Sequence, residues 1–175
     1  QGSEERMLVR LSKEESYHCE VLGSDTVKIC EMQNFAPRLE NKHQTRVQAN
    51  IYGFKAEWAV AKLYGLPKTG LSIASDFGVD LWWNDTSIDV KFTNKDNGDL
   101  IFDTADKFKS RIAILVAKTE DEQVMNVVGW LGRKLFLEIA EKKDYGYGDR
   151  LIVTQEKLKP VESLWATMKK IEFSG

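Results

Sequence analysis

The chain has 175 residues, of which 42% are hydrophobic and 30% are charged, a balance typical of a soluble globular protein rather than a disordered one. The formal net charge of −2 excludes a protein that coats nucleic acid through its overall charge, although it allows a local basic groove. No apolar run approaches the roughly 20 residues that cross a bilayer, so we expect a cytoplasmic protein without membrane contact.

The length is sufficient for one domain with a hydrophobic core. We interpret residues 1–6, which begin with Gln1-Gly2-Ser3, as a tag remnant and flexible start, and we assign residues 7–175 to a single domain with its core at about 45–165. Cys19 and Cys30 do not have the spacing of a zinc site, so we expect reduced thiols.

Hydrophobic periodicity predicts the elements in chain order. Met7 to Leu11 and Val27 to Ile29 indicate one or two strands. The later segments are a helix at 45–64 ended by Gly65 and Pro67, strands at 79–83, 87–92, 112–117 and 124–130, a helix at 131–143, a strand at 151–153 and a helix at 155–170 that Pro160 either bends or restarts. This order predicts an α/β or α+β protein with a mixed central sheet flanked by helices.

The segment from Ile88 to Phe92 alternates apolar and charged residues. Because successive side chains of a strand point to opposite faces, Asp89 and Lys91 are expected side by side on the face opposite the core. A two-residue turn at Asn84-Asp85 would also place Asp80 directly opposite Asp89. Two opposed carboxylates are destabilising unless a cation compensates them, and Mg²⁺ prefers carboxylate, water and phosphate oxygens.

The predicted helix carries a polar stripe of Arg46, Asn50, Gly53 and Glu57, spaced by four, three and four residues. Glu57 could complete a metal site with Asp80 and Asp89, and Arg46 and Asn50 could contact phosphate oxygens. A further basic rim is predicted from four residues that follow the strand motif, namely Lys95, Lys107, Lys109 and Arg111.

A helix glutamate, then an aspartate, then Asp-x-Lys on the next strand resembles the PD-(D/E)XK nuclease superfamily. The matching segments are Gly53 to Glu57, Phe77 to Leu81 and Asp89 to Lys91, with Val79 where the superfamily's name has proline. The order of elements resembles the αβββαβ core of restriction-endonuclease-like proteins. Residues 127–131 and 145–148 are similar to small phage-type members, and the resemblance covers about residues 45–165.

This resemblance implies Mg²⁺-dependent hydrolysis of DNA, for which we expect an endonuclease that also accepts Mn²⁺. Metal held by Asp80, Asp89 and Glu57 would polarise the phosphate and acidify water, and the superfamily implies the Val90 carbonyl as a further ligand. Lys91 would position the attacking water or stabilise the transition state. A homodimer would supply one active site for each DNA strand, and a virus-encoded enzyme acting in its host cell fits the phage-type similarity.

Acid-x-lysine tripeptides also arise by chance, and two others occur in the chain. Glu40-Asn41-Lys42 lies in a polar segment, and Glu141-Lys142-Lys143 lies in a predicted helix, where residues two apart do not share a face. Three alternatives stay open for the motif at Asp89: a salt bridge on an exposed sheet, an inactive nucleic-acid-binding module on the same fold, and a metal-dependent phosphohydrolase acting on RNA or nucleotides.

Overall fold

A computed structural model describes residues 7–32, 43–67, 80–146 and 148–174, without the side chains of 26–32, 43–46 and 171–174. The predicted tag remnant at 1–6 and the segment 68–79, which includes Phe77, Gly78 and Val79 of the matching motif, lie outside the described residues. No helix in the described ranges is long and apolar enough to span a membrane.

The described elements make an α+β protein. In chain order they are β1 (Met7–Arg10), α1 (Lys13–Met32), α2 (His43–Tyr64), β2 (Leu81–Trp83), β3 (Thr86–Thr93), β4 (Leu100–Phe102), β5 (Ile112–Lys118), β6 (Val124–Gly132), α3 (Arg133–Ile139), β7 (Glu141–Asp144), β8 (Asp149–Val153) and α4 (Val161–Ser174). Short 3-10 turns lie at Ala105–Lys107 and Gln155–Lys157.

The central sheet is mixed, as predicted. Its five strands lie in the order β1-β6-β5-β3-β2, in which β3 and β5 are parallel and every other neighbouring pair is antiparallel. The turn at Asn84 has a positive φ of 52° and connects β2 to β3. Because β5 is buried on both faces, its sequence is a continuous apolar run.

Two hydrophobic clusters cover the two faces of this sheet. On one face, α2 and α4 pack against β3 and β5 through residues such as Val60, Leu164, Ile88 and Ile114. On the other face, the aromatic cluster of Phe102, Phe108 and Phe136 covers Ala113 and Leu115. Phe102 and Phe108 are stacked with ring centroids 4.3 Å apart, and Phe136 lies edge-on to Phe102 at 5.2 Å. Full burial of each ring contributes roughly 1.5–3 kcal/mol.

The strand predicted at Val27 to Ile29 is wrong, because these residues belong to α1. The helix begins with a capping box: the Ser12 hydroxyl accepts from the Glu15 amide at 3.0 Å, and the Glu15 carboxylate accepts from the Ser12 amide at 2.7 Å. Helix α1 packs against α2 and buries Cys19, and this burial raises the pKa of the Cys19 thiol to about 12. The thiol is therefore neutral at physiological pH.

The helix predicted at 131–143 is too long. Helix α3 ends at Ile139, Ala140 is extended, and Glu141–Asp144 form the fully exposed edge strand β7, which pairs with β8. The turn between them holds Gly146 and Gly148 at positive φ, and both amides donate to the Asp144 carboxylate at 2.6 and 3.1 Å. Strands β4, β8 and β7 form a second sheet, of which β4 was not predicted.

Gly129 allows the segment before α4 to lie against β6. A Cβ at this position would be 2.8 Å from both the Leu158 Cβ and the Lys159 carbonyl oxygen. Next to it, Trp130 and Lys159 exchange two backbone hydrogen bonds of 3.1 and 2.9 Å. The pairing of β5 with β6 also shifts here, from Leu115 with Gly129 to Val116 with Val127, which leaves Val128 as an extra residue.

We expect Gly129→Ala to lower the free energy of unfolding by about 1–3 kcal/mol, because the added methyl group must displace backbone. The matched control is Gly53→Ala in α2, where no described atom other than the neighbouring backbone of the helix lies within 4 Å of the added Cβ. This control should raise stability by up to about 1 kcal/mol through helix propensity. Urea unfolding followed by circular dichroism measures both, and equal stability of the two variants would contradict the close approach at Gly129.

Candidate active site

The four predicted catalytic residues line one cleft of about 410 Å³. Glu57 comes from α2, Asp80 from the residue before β2, and Asp89 and Lys91 from β3. The remaining lining residues are Val90 of β3, three residues of the β4 segment and one lysine of the following turn: Ile101, Phe102, Asp103 and Lys107. A volume of this size is within the usual range of sites for small molecules or parts of larger ones.

The cleft lies where β2 ends and β3 continues. The predicted register is confirmed for its first three pairs, Trp83 with Thr86, Trp82 with Ser87, and Leu81 with Ile88. Asp80 does not extend this ladder to a direct pair with Asp89, because its amide donates to the Ile88 carbonyl at 2.9 Å, one residue out of register.

The Asp80 carboxylate binds the backbone of β3 beyond the described end of β2. Its Oδ2 accepts a hydrogen bond of 2.7 Å from the Val90 amide. In an extended strand the N–H and C=O of one residue point to the same side. The Val90 carbonyl therefore points to the same open edge, as the ligand prediction for Val90 requires.

Asp89 and Lys91 share one face of β3, as the alternation predicts. Ile88 is fully buried in the core on the opposite face, with Val90 and Phe92 packed partly against it. The Asp89 side chain is 8% exposed and that of Lys91 is 38% exposed, with Lys91 Nζ 4.0 Å from Asp89 Oδ1.

The Lys91 ammonium group also lies 4.6 Å from the centroid of the Phe102 ring. A cation over an aromatic face gains roughly 0.5–1 kcal/mol at an exposed site. Phe102 itself is held by the aromatic cluster. Lys91 is therefore positioned between a buried carboxylate and a fixed ring, while its ammonium group can still be reached from the cleft.

Glu57 reaches the cleft from the helix side. Its neighbour Ala56 is fully buried in the core below the sheet, whereas Glu57 is only partly buried. Lys55, also part of the matching motif, is 3% exposed and donates to the Glu122 carbonyl at 3.2 Å. Lys55 therefore binds the β5–β6 turn and does not line the cleft.

Sequence reasoning missed the contribution of the β4 segment. Phe102 lies under Lys91, Asp103 is 3.3 Å from Arg150, and Lys107, assigned only to a general basic rim, lines the cleft. The apolar run Leu100-Ile101-Phe102 after Asn97-Gly98 was the available signal for this strand, although three residues are too few to show a period.

Three of the four predicted DNA-binding residues do not line the cleft. Asn50 is partly buried on α2, Lys95 is exposed in the turn after β3, and Lys109 lines a different cavity. The side chain of Arg46 lies outside the described residues. Any contact of Asn50, Lys95 or Lys109 with a nucleic acid would therefore be made outside the cleft.

The tripeptide Glu141-Lys142-Lys143 is on a strand and not on the predicted helix, so Glu141 and Lys143 do share a face. The Glu141 side chain is 81% exposed and lies 4.0 Å from Lys157. The cavity beside it measures about 100 Å³ and is lined by two acidic and two basic side chains. This second motif has the properties of a solvated salt bridge.

The cleft has the donor chemistry of a magnesium site. Four carboxylates and two ammonium groups line it, so its formal charge is −2, which one divalent cation would neutralise. Within the described residues, no three Asp, Glu, His or Cys side chains are close enough to hold a metal ion among them. Mg²⁺ commonly uses only one or two carboxylates with water and phosphate oxygens, a requirement that Asp80, Asp89 and the Val90 carbonyl fit.

Comparison with protein-family models, curated proteins and solved structures finds no match to this chain. The likeness to the PD-(D/E)XK superfamily therefore rests on the order of Glu57, Asp80, Asp89 and Lys91 in the sequence and on their meeting in one cleft.

We expect the free energy of unfolding of Asp80→Ala to be about 1 kcal/mol lower than that of Asp80→Asn, because only the asparagine keeps an acceptor for the Val90 amide. Both variants remove the same charge, so the difference isolates the hydrogen bond. Urea unfolding measures the stabilities, and hydrogen exchange should be faster at the Val90 amide in Asp80→Ala. Identical exchange in the two variants would contradict the role assigned to the carboxylate.

Proposed function

We propose that this protein is a Mg²⁺-dependent deoxyribonuclease of the restriction-endonuclease-like class, acting as an endonuclease. The observation that carries the proposal is the convergence of Glu57, Asp80, Asp89 and Lys91, from three separate segments, on one cleft. A phosphodiester is anionic, and a cleft of formal charge −2 repels it until a cation binds. A divalent metal thus has a physical role here before any chemistry takes place.

Asp80 and Asp89 would hold the metal with the Val90 carbonyl, and Glu57 would complete its environment from the helix. When bound, the metal would act as a Lewis acid on the phosphate and lower the pKa of water. Both ligands are preorganised: Asp80 by its hydrogen bond to the Val90 amide, and Asp89 by its burial on a central strand. Ligands held in this way need little rearrangement during the reaction.

Lys91 is suited to act at the reacting phosphate. Its ammonium group lies on the cleft side of β3, where it can donate a hydrogen bond to the attacking water or to an oxygen on which charge develops. Lys107 lines the same cleft and offers a second positive charge to the phosphate. The Phe102 ring beneath Lys91 restricts the lysine and excludes water from one side of it.

We expect Asp89→Asn and Lys91→Met each to lower the rate of Mg²⁺-dependent cleavage of plasmid DNA by at least about 100-fold, because each removes a charge from the reacting centre. The matched controls are Glu141→Gln and Lys143→Met, which make the same changes in the exposed tripeptide of β7. These controls should cleave at the wild-type rate. Full activity in either cleft variant, with its fold intact by circular dichroism, would refute the assignment.

Calorimetric titration should detect binding of Mg²⁺ or Mn²⁺ to the wild type, and the double variant Asp80→Asn/Asp89→Asn should lose it because both carboxylate charges are removed. A substrate panel of linear, circular, single-stranded and branched DNA, RNA and nucleotides then separates the alternatives. Metal binding with cleavage of RNA or nucleotides alone would identify a different phosphohydrolase. Absence of both metal binding and cleavage would identify an inactive binding module.

A further inference from the structure

A second cavity, of about 760 Å³, lies at the beginning of β3 and β5. Its lining has a strong positive charge. Four basic side chains and a single acidic one, Glu138, give it a formal charge of +3 in a chain whose net charge is −2. We call it the basic pocket, and its four basic residues are Lys109, Arg111, Arg133 and Lys134.

The basic pocket has a fixed frame and exposed cations. The Arg133 side chain donates from Nε to the Phe108 carbonyl at 2.7 Å, and its amide donates to the Arg111 carbonyl at 2.9 Å. The Arg111 amide in turn donates to the Ser87 hydroxyl at 2.9 Å. Lys109, Arg111 and Lys134 are exposed. The floor between them is apolar and includes Ile112, Leu164 and Met168.

At two places in the chain, residues two apart line the cleft and the basic pocket, respectively. Ser87 lines the pocket and Asp89 lines the cleft, and both lie on the same face of β3, about 6.6 Å apart along the strand. Lys107 lines the cleft and Lys109 lines the pocket, with the fully buried Phe108 between them. Two residues span at most about 7 Å of chain.

These separations match a nucleic acid. One DNA strand advances 3.4 Å along its axis per nucleotide and also turns about that axis, so successive phosphates are farther apart than 3.4 Å and a separation of about 7 Å corresponds to one or two nucleotides. Cations at the rim suit phosphate oxygens, and an apolar floor suits the sugar and base between them. An anion no larger than phosphate would fill only a small part of the cavity.

We propose that the basic pocket binds the phosphate groups of the DNA strand one or two nucleotides from the phosphate in the cleft. This inference rests on the proposed nuclease function, because it takes the cleft to be the place of the scissile phosphate. It assigns phosphate contacts to Arg111, Arg133 and Lys134, and it explains why Lys109 lies outside the cleft while still contacting substrate.

The test is DNA binding without cleavage, measured by fluorescence anisotropy of a labelled 30-base-pair duplex in EDTA over a range of salt concentrations. The variant Lys109→Glu/Arg111→Glu should bind at least tenfold more weakly than the wild type. Its dependence of log Kd on log salt should be shallower by about two, one for each lost phosphate contact. Arg133 is left unchanged because of its hydrogen bond to Phe108.

The matched control is Lys13→Glu/Lys142→Glu, which makes the same change in net charge at exposed positions of α1 and β7. Its affinity and salt dependence should remain close to those of the wild type. The single variant Lys109→Ala, which adds no negative charge, should lower the slope by about one. Circular dichroism on heating establishes that each variant is folded.

An unchanged Kd and slope in Lys109→Glu/Arg111→Glu, an equal loss in the control, or a wild type that binds no DNA would each overturn the inference. Mg²⁺-dependent cleavage is measured separately. If the wild type cleaves DNA and the variant binds DNA as tightly as the wild type, the assignment of the basic pocket is refuted and the nuclease assignment stands. If the variant binds DNA more weakly and the wild type does not cleave DNA, the nuclease assignment is refuted and the pocket remains a nucleic-acid-binding site.

Discussion

Within the described residues, strand β2 has three residues and its neighbour β3 has eight, so the backbone of β3 continues beyond the described end of its partner. An amide at such an edge needs an acceptor, and for Val90 the acceptor is the Asp80 carboxylate at 2.7 Å. This single hydrogen bond fixes the acid at the position where the sheet opens. Asp89 and Lys91 line the same cleft because side chains alternate between the two faces of β3.

The local constraints on this site can be read from the sequence. Apolar residues alternating with Asp89 and Lys91 define the two faces of β3, and Asn84-Asp85 sets the first three pairs of the hairpin. The one-residue departure at Asp80 could not be predicted, because it depends on the hydrogen bond made by its own side chain. The regular pairing of two strands ends where a side chain competes with the backbone for hydrogen-bond partners.

Elements whose stability comes from distant contacts are harder to predict. Strands β4 and β7 have three and four residues, and each forms because β8 lies between them. Local patterning of Glu141–Asp144 favours continuation of a helix, and pairing with β8 overrides it. Helix α1 is the opposite case, because the sequence contains a local signal for it, the capping box of Ser12 and Glu15. The β-branched residues from Val27 to Ile29 instead led to the prediction of a strand.

The overall charge conceals a strong local separation. The cleft carries a formal charge of −2 and the adjoining basic pocket +3, so the net value of the chain indicates neither. Carboxylates gathered in a cleft repel one another, and the fold offsets part of this cost with Lys91, Lys107 and the Val90 amide. If the proposed metal binds there, it would offset the remaining repulsion and raise the free energy of unfolding.

The aromatic cluster on the second face of the sheet contacts or adjoins the residues that carry the positive charges of both cavities. Phe102 lies under Lys91, and Phe108 anchors the segment that carries Lys107 into the cleft and Lys109 into the basic pocket. Stacking of the two rings at 4.3 Å holds the backbone of the segment that carries Lys107 and Lys109 against the ring that lies under Lys91. A packed aromatic pair can hardly slide without opening a void, so core packing fixes the backbone positions from which the exposed side chains of Lys107 and Lys109 extend. Hydrophobic packing on one side of β5 thus determines which of these cations reaches the cleft and which reaches the basic pocket.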